Sequence, residues 1–359
     1  MKTRDVYITK AQTLANSGTV TFPINMLGKI QDIRVKFSAT NGGTSNTVGK
    51  LCGLVSKIEV VDGSDVLCSL SMRELQALNC FNNGYMPFKD LSGGAGVAIA
   101  DNAIISFGRF LGDRAYYLDA SRFSNPMIRL TWAFTVSATA GIATGTGALS
   151  LIARVIEDAA PPYMGFIMRK EVKSWTTASS GDESTILDRS WPYKGIMVGA
   201  LLTTVVPDTL ITNLKLSVDS DRSIPFNLTG TDACSKNVEQ FGVFQEKFRP
   251  LTDTAATWLS DIFYQTGAWM SKPGATAKSI TTAVTAESVT TAATTGGTAD
   301  ATEITVQGSG PHANVYLPFG DGVNPEDFLN PSGMGELKLI LTQAVGSAAG
   351  TVVTEQLRQ

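Results

Sequence analysis

Histidine is almost absent from this chain. His312, which follows Pro311 in a glycine-rich stretch, is the only histidine among 359 residues. Serine and cysteine nucleophiles usually need a histidine base, and zinc sites usually need histidines or closely spaced cysteines. The sequence also contains no nucleophile-elbow or papain-type motif. We therefore interpret His312 as a loop residue and expect no catalytic residue, no cofactor and no metal site.

Cysteine is scarce as well. The four cysteines stand at positions 52, 68, 80 and 234, and these spacings fit no paired zinc-binding motif. Cys68 and Cys80 lie in apolar stretches, so we predict that both are small buried core residues. No apolar leader follows the basic N-terminal residues, so we expect synthesis in the cytoplasm, where cysteines stay reduced.

Charge is low and nearly balanced. Charged residues make up 17% of the chain, and the formal net charge is −3. Because this composition lacks the basic footprint of a nucleic-acid-binding surface, we expect no sequence-specific nucleic acid partner. The longest apolar stretch, GIMVGALLTTVV at 195–206, is too short to span a bilayer. A weakly charged exterior indicates either surfaces buried against neighbouring molecules or a β protein kept soluble by hydroxyl groups.

Strand signals dominate what is present, and their order occurs twice. Residues 56–84 read as a strand, an acidic turn, a second strand and a helix that begins after Ser71, with Glu74 completing a capping box, and ends at Gly84. Residues 212–242 repeat that order about 156 residues later, with a helix from Thr229 to Gln240. At this shift Ser64 pairs with Ser220 and Asp65 with Asp221.

A second landmark closes each copy. An Asn-Pro step precedes an alternating strand in NPMIRLTWAF at 125–134, where we expect Trp132 in the core. NPSGMGELKLILT at 330–342 repeats this about 209 residues later. The offset therefore grows by roughly 50 residues, much of which is the Thr/Ala-rich segment 271–310. We interpret that segment as a surface loop or small tower, or else a disordered insertion.

These patterns predict an all-β protein with two tandem β-sandwiches, each carrying a short helix. Eight strands in each half fit the length. The stiff Ala-Ala-Pro-Pro segment near residue 160 places the boundary, so the domains are predicted to span residues 1–160 and 161–359.

Pairs of carboxylates offer an alternative site. The pairs Asp62/Asp65, Asp219/Asp221 and Asp182/Glu183 could hold Ca²⁺ or serve as acid and base. Aspartate is favoured in hairpin turns by turn geometry alone, so we interpret most of these residues as turn residues.

The order of elements resembles the double jelly-roll major capsid proteins of tailless icosahedral viruses, especially bacteriophages with an internal membrane. The residues that carry the resemblance are IEVVDGSDVLCSLSMRELQAL, LKLSVDSDRSIPFNLTGTDACSKNV, the two Asn-Pro strands above, and VYLPFGDGVNPEDFLNPSG at 315–333. The resemblance covers most of the chain in architecture and rests on order and character rather than on an invariant motif.

The resemblance implies two eight-stranded jelly rolls and a homotrimer that builds an icosahedral virion shell in the host cytoplasm. It further implies contact with minor capsid proteins such as a penton protein. Lys2, Arg4 and Lys10 would then lie low on the inner face and touch the acidic lipid heads of an internal membrane. Two alternatives stay open: a carbohydrate-binding or adhesin β-sandwich protein of a phage spike or tail, and a hydrolase or lyase that uses carboxylates.

Overall fold

The computed structural model describes residues 2–42, 50–90, 96–137, 141–157, 162–202, 205–248, 256–271, 278–282, 288–293 and 303–359. Three of the four residues of the predicted Ala-Ala-Pro-Pro linker, positions 159–161, lie outside this description, as do parts of the segment 271–310. The predicted domain boundary therefore stays a prediction.

Four α-helices are present in the described part of the chain, and all lie between strands. They are α1 (Leu51–Leu54), α2 (Met72–Asn83), α3 (Pro207–Leu210) and α4 (Gly230–Phe241). Short 3-10 turns cover Asn25–Leu27, Ala120–Arg122 and Pro325–Asp327. No helix among the described residues is both long and apolar enough to cross a membrane.

The strands divide into two sets. The first set is β1 (Thr3–Thr13), β2 (Ser17–Pro23), β3 (Lys29–Thr40), β4 (Val55–Asp62), β5 (Asp65–Leu70), β6 (Lys89–Asp90), β7 (Ala98–Ser106), β8 (Leu118–Asp119), β9 (Pro126–Ala133) and β10 (Ala148–Ile156). The second set is β11 (Phe166–Thr176), β12 (Gly181–Ile186), β13 (Tyr193–Leu201), β14 (Ile211–Val218), β15 (Ser223–Thr229), β16 (Phe244–Phe248), β17 (Ala256–Leu259), β18 (Ile262–Ser271), β19 (Lys278–Thr282), β20 (Ser288–Ala293), β21 (Glu303–Pro311), β22 (Asn314–Pro318), β23 (Leu337–Gln343) and β24 (Ala349–Arg358).

Eight strands of each set form a sandwich of two four-stranded layers. The first sandwich has the strand orders β1-β10-β3-β7 and β2-β9-β4-β5, with the short strands β6 and β8 attached at β7 and β3. The second sandwich has the orders β11-β24-β13-β22 and β12-β23-β14-β15. The two topologies correspond strand by strand, which confirms the all-β prediction of two eight-stranded sandwiches.

The repeat holds at residue level up to the hairpin turn. Strands β4 and β14 differ by 156 residues at both ends (211 − 55 and 218 − 62). After the turn the offset becomes 158, as the helix N-caps show (229 − 71). The predicted pairing of Asp65 with Asp221 is therefore wrong, because Asp65 begins β5 while Asp221 stays in a turn that is two residues longer.

The two sandwiches share one continuous sheet. Strand β5 of the first pairs in parallel with β11 of the second, with Arg169 opposite Cys68 and Lys170 opposite Ser69. This pairing merges one layer of each sandwich into a single eight-stranded sheet. Because strand pairing uses backbone groups of both halves, it fixes their relative position.

Alternating strands build the cores. In β9, Ile128, Leu130 and Trp132 are buried while Arg129 faces solvent, as period-2 patterning predicts. The indole N–H of Trp132 donates to the carbonyl of Ala15 at 2.8 Å. Two large hydrophobic clusters result, and the one centred on the first sandwich also includes residues of the second.

The helix predictions are confirmed. Ser71 caps α2, and Glu74 completes the capping box that the sequence indicates. Gly84 ends the helix in the left-handed conformation, where only glycine avoids a Cβ penalty. In α4 the side chain of Thr229 accepts from the backbone N–H of Asp232.

Extra strands lie between α4 and β22. They form two three-stranded sheets with the orders β16-β21-β18 and β17-β20-β19. Within the segment 271–310, β19 pairs antiparallel with β20. The additional strands begin at Phe244, before the segment 271–310. The sequence did not predict this start, because the composition of residues 244–271 does not differ from that of ordinary strands.

Candidate functional site at the junction between the two sandwiches

The three basic residues that the sequence singles out lie on or next to β1, at the edge of a sheet. Arg4 forms an exposed ion pair with Glu157 at 3.1 Å. Lys10 lies over the ring of Tyr7, 5.5 Å from its centroid. Lys2 and Lys10 are eight residues apart along an extended chain, about 26 Å. The structure therefore groups Lys2 with Arg4 and separates both from Lys10.

The carboxylate pairs take mainly structural roles. Asp62 accepts from the backbone N–H groups of Ser124 and Asn125 at 3.1 and 2.6 Å. Asp65 instead receives two hydrogen bonds from Arg358, at 2.9 and 2.6 Å. These contacts tie turns and strand ends together.

Asp219 and Asp221 lie in the second hairpin turn, as predicted. Asp219 accepts from the backbone N–H of Glu336 at 2.8 Å. Asp221 pairs with Lys215 at 2.6 Å. Asp182 lies on β12 and accepts from the hydroxyl of Thr342 at 2.7 Å. Glu183 on β12 pairs with Lys173 on β11, which lies in the other layer of the same sandwich.

His312 is part of a buried polar cluster. It lies in a tight turn between β21 and β22, yet its side chain is buried. Its Nδ1 is 3.4 Å from Oδ1 of Asp261, and the Sγ of Cys52 is 4.0 Å from Oδ2 of the same carboxylate. These three residues offer donor atoms within 4.8 Å of one another. Sequence reasoning missed the group because its members are far apart in the chain.

Two ammonium groups already occupy Asp261. Lys50 Nζ lies 2.8 Å from Oδ1, and Lys89 Nζ contacts Oδ2. Glu246 lies 3.4 Å from Lys89 and accepts from the backbone N–H of Asp261 at 2.8 Å. A divalent cation would have to displace both lysines, so the charges favour a self-compensated ion cluster over a metal centre.

The cluster also sets its own ionisation. Burial lowers the pKa of His312 well below its usual range, and Lys89, Arg73 and Lys50 lower it further. Burial opposes the charge of Lys89 too, but Glu246 and Asp101 outweigh it and raise the lysine pKa. His312 is therefore neutral beside charged lysines. Lys50 and Lys89 come from the first half of the chain and the two carboxylates from the second, so the cluster joins the halves.

A second ion network lies at the same junction. Glu355 on β24 contacts Arg169 on β11 at 2.6 Å and Lys194 on β13 at 3.0 Å. Burial raises the pKa of Glu355, but Lys194 and Arg169 outweigh it and lower the value to about 2. Asn82 in the last turn of α2 donates to Glu355 at 3.2 Å. This asparagine brings the first sandwich into a network built by the second.

Aromatic rings fill the space between these networks. Phe81 of α2 stacks on Tyr316 at 5.5 Å between centroids and meets Phe241 of α4 edge-on at 5.2 Å. Phe244 contacts Phe81 at 6.0 Å. The C-terminal ends of the two equivalent helices therefore meet in one aromatic cluster. Such pairs add about 0.5–1.5 kcal/mol each beyond area burial, so the junction is a packed core rather than a hinge.

The cysteine prediction is confirmed. Cys68 and Cys80 are 2% and 0% exposed. All four cysteines are free thiols, and burial raises the pKa of Cys68 to about 12. The thiols of the described core are therefore unreactive packing groups.

Comparisons with known proteins agree with this architecture. No protein-family model matches the sequence, and no curated protein matches it. The chain is similar in structure to the major capsid protein of STIV, the Sulfolobus turreted icosahedral virus, with a TM-score of 0.60 and 11% identity over 99% of this chain and 97% of that one. It is similar to the major capsid protein P2 of bacteriophage PM2, with a TM-score of 0.55 and 10% identity over 100% and 98% of the two chains.

A third solved structure shows the same likeness. The PBCV-1 virus capsid gives a TM-score of 0.61 at 10% identity, over 99% of this chain and 93% of the matched chain. All three likenesses run through both halves and across the junction. The chain therefore has the double jelly-roll fold found in these capsid proteins.

Proposed function

We propose that this protein is the major capsid protein of an icosahedral virus and that it assembles as homotrimers into the virion shell. The observation that carries the proposal is the length of the likeness, which covers 99–100% of this chain and 97–98% of two solved major capsid proteins. The likeness therefore spans both halves of this chain and nearly the whole of the two matched proteins.

The junction supports this role physically. Each copy holds two similar sandwiches side by side. Three copies around a closed threefold axis therefore form a ring of six sandwiches. Such rings pack into a regular lattice only if the angle between the two sandwiches of each copy stays constant. The shared sheet, the aromatic cluster and the two buried ion networks hold that angle.

The surface supports contact between copies. Tyr85 and Phe88, in the loop after α2, are 50% and 71% exposed. Aromatic side chains are enriched in protein interfaces, so we assign this loop to contacts with neighbouring copies. A carbohydrate-binding module would use the same kind of exposed aromatic side chains to contact a sugar. Glycan binding is therefore the second candidate function.

Partners beyond the chain itself follow from the same proposal. The shell would meet minor capsid proteins such as a penton protein at its fivefold vertices. The basic residues of β1 would contact acidic lipid if a membrane lies beneath the shell. Assembly in the host cytoplasm and the absence of an enzymatic activity complete the proposed role.

The test is the absolute mass of the purified protein by light scattering after size exclusion, with electron microscopy of the same fractions. We expect a trimer with a hexagonal outline, or closed shells. A matched variant, Tyr85→Ser with Phe88→Ser, should keep the fold by circular dichroism and lose higher assembly. A protein that stays monomeric at every salt concentration and binds a glycan array through Tyr85 and Phe88 would overturn the capsid role.

A further inference from the structure

Three side chains at the junction are arranged for a covalent reaction. Lys194 on β13 donates through Nζ to Oδ1 of Asn82, and also to Oε2 of Glu355 at 3.0 Å. Asn82 donates through Nδ2 to Oε1 of the same Glu355 at 3.2 Å. A single carboxylate therefore touches both the amine and the nitrogen of the carboxamide, while the amine lies against the amide group.

The surroundings bury two members of this triad, while Asn82 is half-buried. The side chains of Lys194 and Glu355 are 2% and 1% exposed. Lys194 Nζ lies 5.5 Å from the ring centroid of Tyr316, which in turn stacks on Phe81. The hydroxyl of Tyr316 donates to Glu355, and Arg169 holds its other oxygen at 2.6 Å. The carboxylate is thus fixed in position by hydrogen bonds to both of its oxygens.

We propose that Lys194 and Asn82 form an intramolecular isopeptide bond that joins the two sandwiches covalently. Nζ of Lys194 gives a proton to Glu355 and attacks Cγ of Asn82, so that a carbon–nitrogen bond forms. Glu355 passes a proton to Nδ2 and takes one from the new amide nitrogen as the old carbon–nitrogen bond breaks. Ammonia leaves with the spare proton as ammonium, Glu355 returns to its carboxylate form, and no oxidant or reductant is needed.

Two physical effects drive the step. Groups held in reacting geometry reach effective concentrations of about 10⁵–10⁸ M, which removes the entropic barrier of bringing them together. Burial also lowers the pKa of Lys194, which favours the free amine that attacks. Escape of ammonia into bulk solvent makes the product permanent.

The other buried lysine pair at the junction is less suited to this chemistry. Lys89 also contacts a side chain whose carbon it could attack, the carboxylate of Asp261, and Glu246 lies nearby. Asp261 lies between two ammonium groups, and a carboxylate so held is a poor electrophile. Glu246 is engaged by the hydroxyl of Ser260 at 2.9 Å and does not bridge the two reacting groups. A neutral carboxamide, as in Asn82, has neither obstacle.

The experiment is intact-mass measurement of the full-length folded protein after denaturation. We expect a mass lower than that of the sequence by one ammonia. Trypsin should release one branched peptide that joins residues 74–89 to residues 190–215, because an acylated Lys194 is not cleaved. Asn82→Ser should have its full sequence mass, and so should Glu355→Gln, which lacks the proton acceptor.

A matched control separates this bond from a succinimide, which also loses ammonia. The neighbouring Asn83 precedes Gly84, a sequence prone to that reaction. Asn83→Ser should keep both the mass loss and the branched peptide. Wild-type protein at its full sequence mass, with separate peptides ending at Lys89 and Lys194, would refute the proposal. So would a mass loss that disappears in Asn83→Ser but persists in Asn82→Ser.

Discussion

At the residue scale, Glu74 couples stability to pH. Burial raises its pKa to about 7, and the nearby Glu171 adds to the rise, against the hydrogen bonds from Ser71. A carboxyl group with a raised folded pKa binds its proton more tightly in the native state. Its contribution is therefore present at low pH and is lost as pH rises from the unfolded value through about 7.

We expect Glu74→Gln to remove this dependence. Glutamine keeps the capping-box acceptor but carries no charge. Relative to wild type, the variant should gain stability above pH 7, by up to about 3 kcal/mol from the size of the shift. Urea unfolding at pH 5 and pH 8 measures the effect. Equal gains at both pH values would show that Glu74 does not titrate in this window.

Sequence reasoning works for residues whose partners are close in the chain. The Ser71 and Glu74 capping box was readable because its two members are three residues apart. The raised pKa of Glu74 was not readable, because it depends on burial in the fold and on Glu171 from the other sandwich. His312 is similar: its glycine-rich neighbours indicate a turn, but only the fold brings Asp261 and Cys52 beside it.

At the scale of elements, strand β1 separates its basic residues into two positions. Lys2 and Arg4 lie at one end, and Lys10 lies about 20 Å or more away at a rise of about 3.3 Å per residue. Screening at physiological ionic strength acts over about 8 Å. A membrane that meets the first end therefore cannot also attract Lys10 while the strand stands upright.

We expect Lys2→Ser with Arg4→Ser to weaken binding to vesicles that contain anionic lipid, by about 1 kcal/mol for each basic residue. Lys10→Ser is the matched control and should bind as wild type does. Flotation of the assembled protein with vesicles measures the difference. If the Lys10 variant alone lost binding, the opposite end of β1 would face the lipid.

The repeat was readable at the level of elements, but its turns were not. Strand spacing and both helices followed from periodicity and caps. The second hairpin turn holds two extra residues, and Asp219, Ser220 and Asp221 all adopt positive φ. Aspartate and serine are both common in turns, so these residues do not indicate how many residues the turn contains. A comparison that keeps a single offset between the two copies therefore pairs the wrong residues after the turn.

At the scale of the whole molecule, the junction couples the two sandwiches in folding. If the second half unfolded alone, Lys50 and Lys89 of the first would lose Asp261, and Phe81 would lose Tyr316. Breaking a buried ion pair costs about 3–5 kcal/mol when one partner stays buried. Partial unfolding is thus penalised at the shared sheet, in the aromatic cluster and in both ion networks.

We therefore expect a single unfolding transition for the whole chain, with equal calorimetric and van't Hoff enthalpies at a fixed oligomeric state. Lys50→Met should lower the transition temperature without dividing the transition. Asp65→Asn, which removes only the partly exposed pair with Arg358, should shift it little. Two resolved transitions in wild type would mean that the sandwiches are separate folding units. Contacts within the trimer, rather than the junction, would then have to keep the angle between the two sandwiches constant.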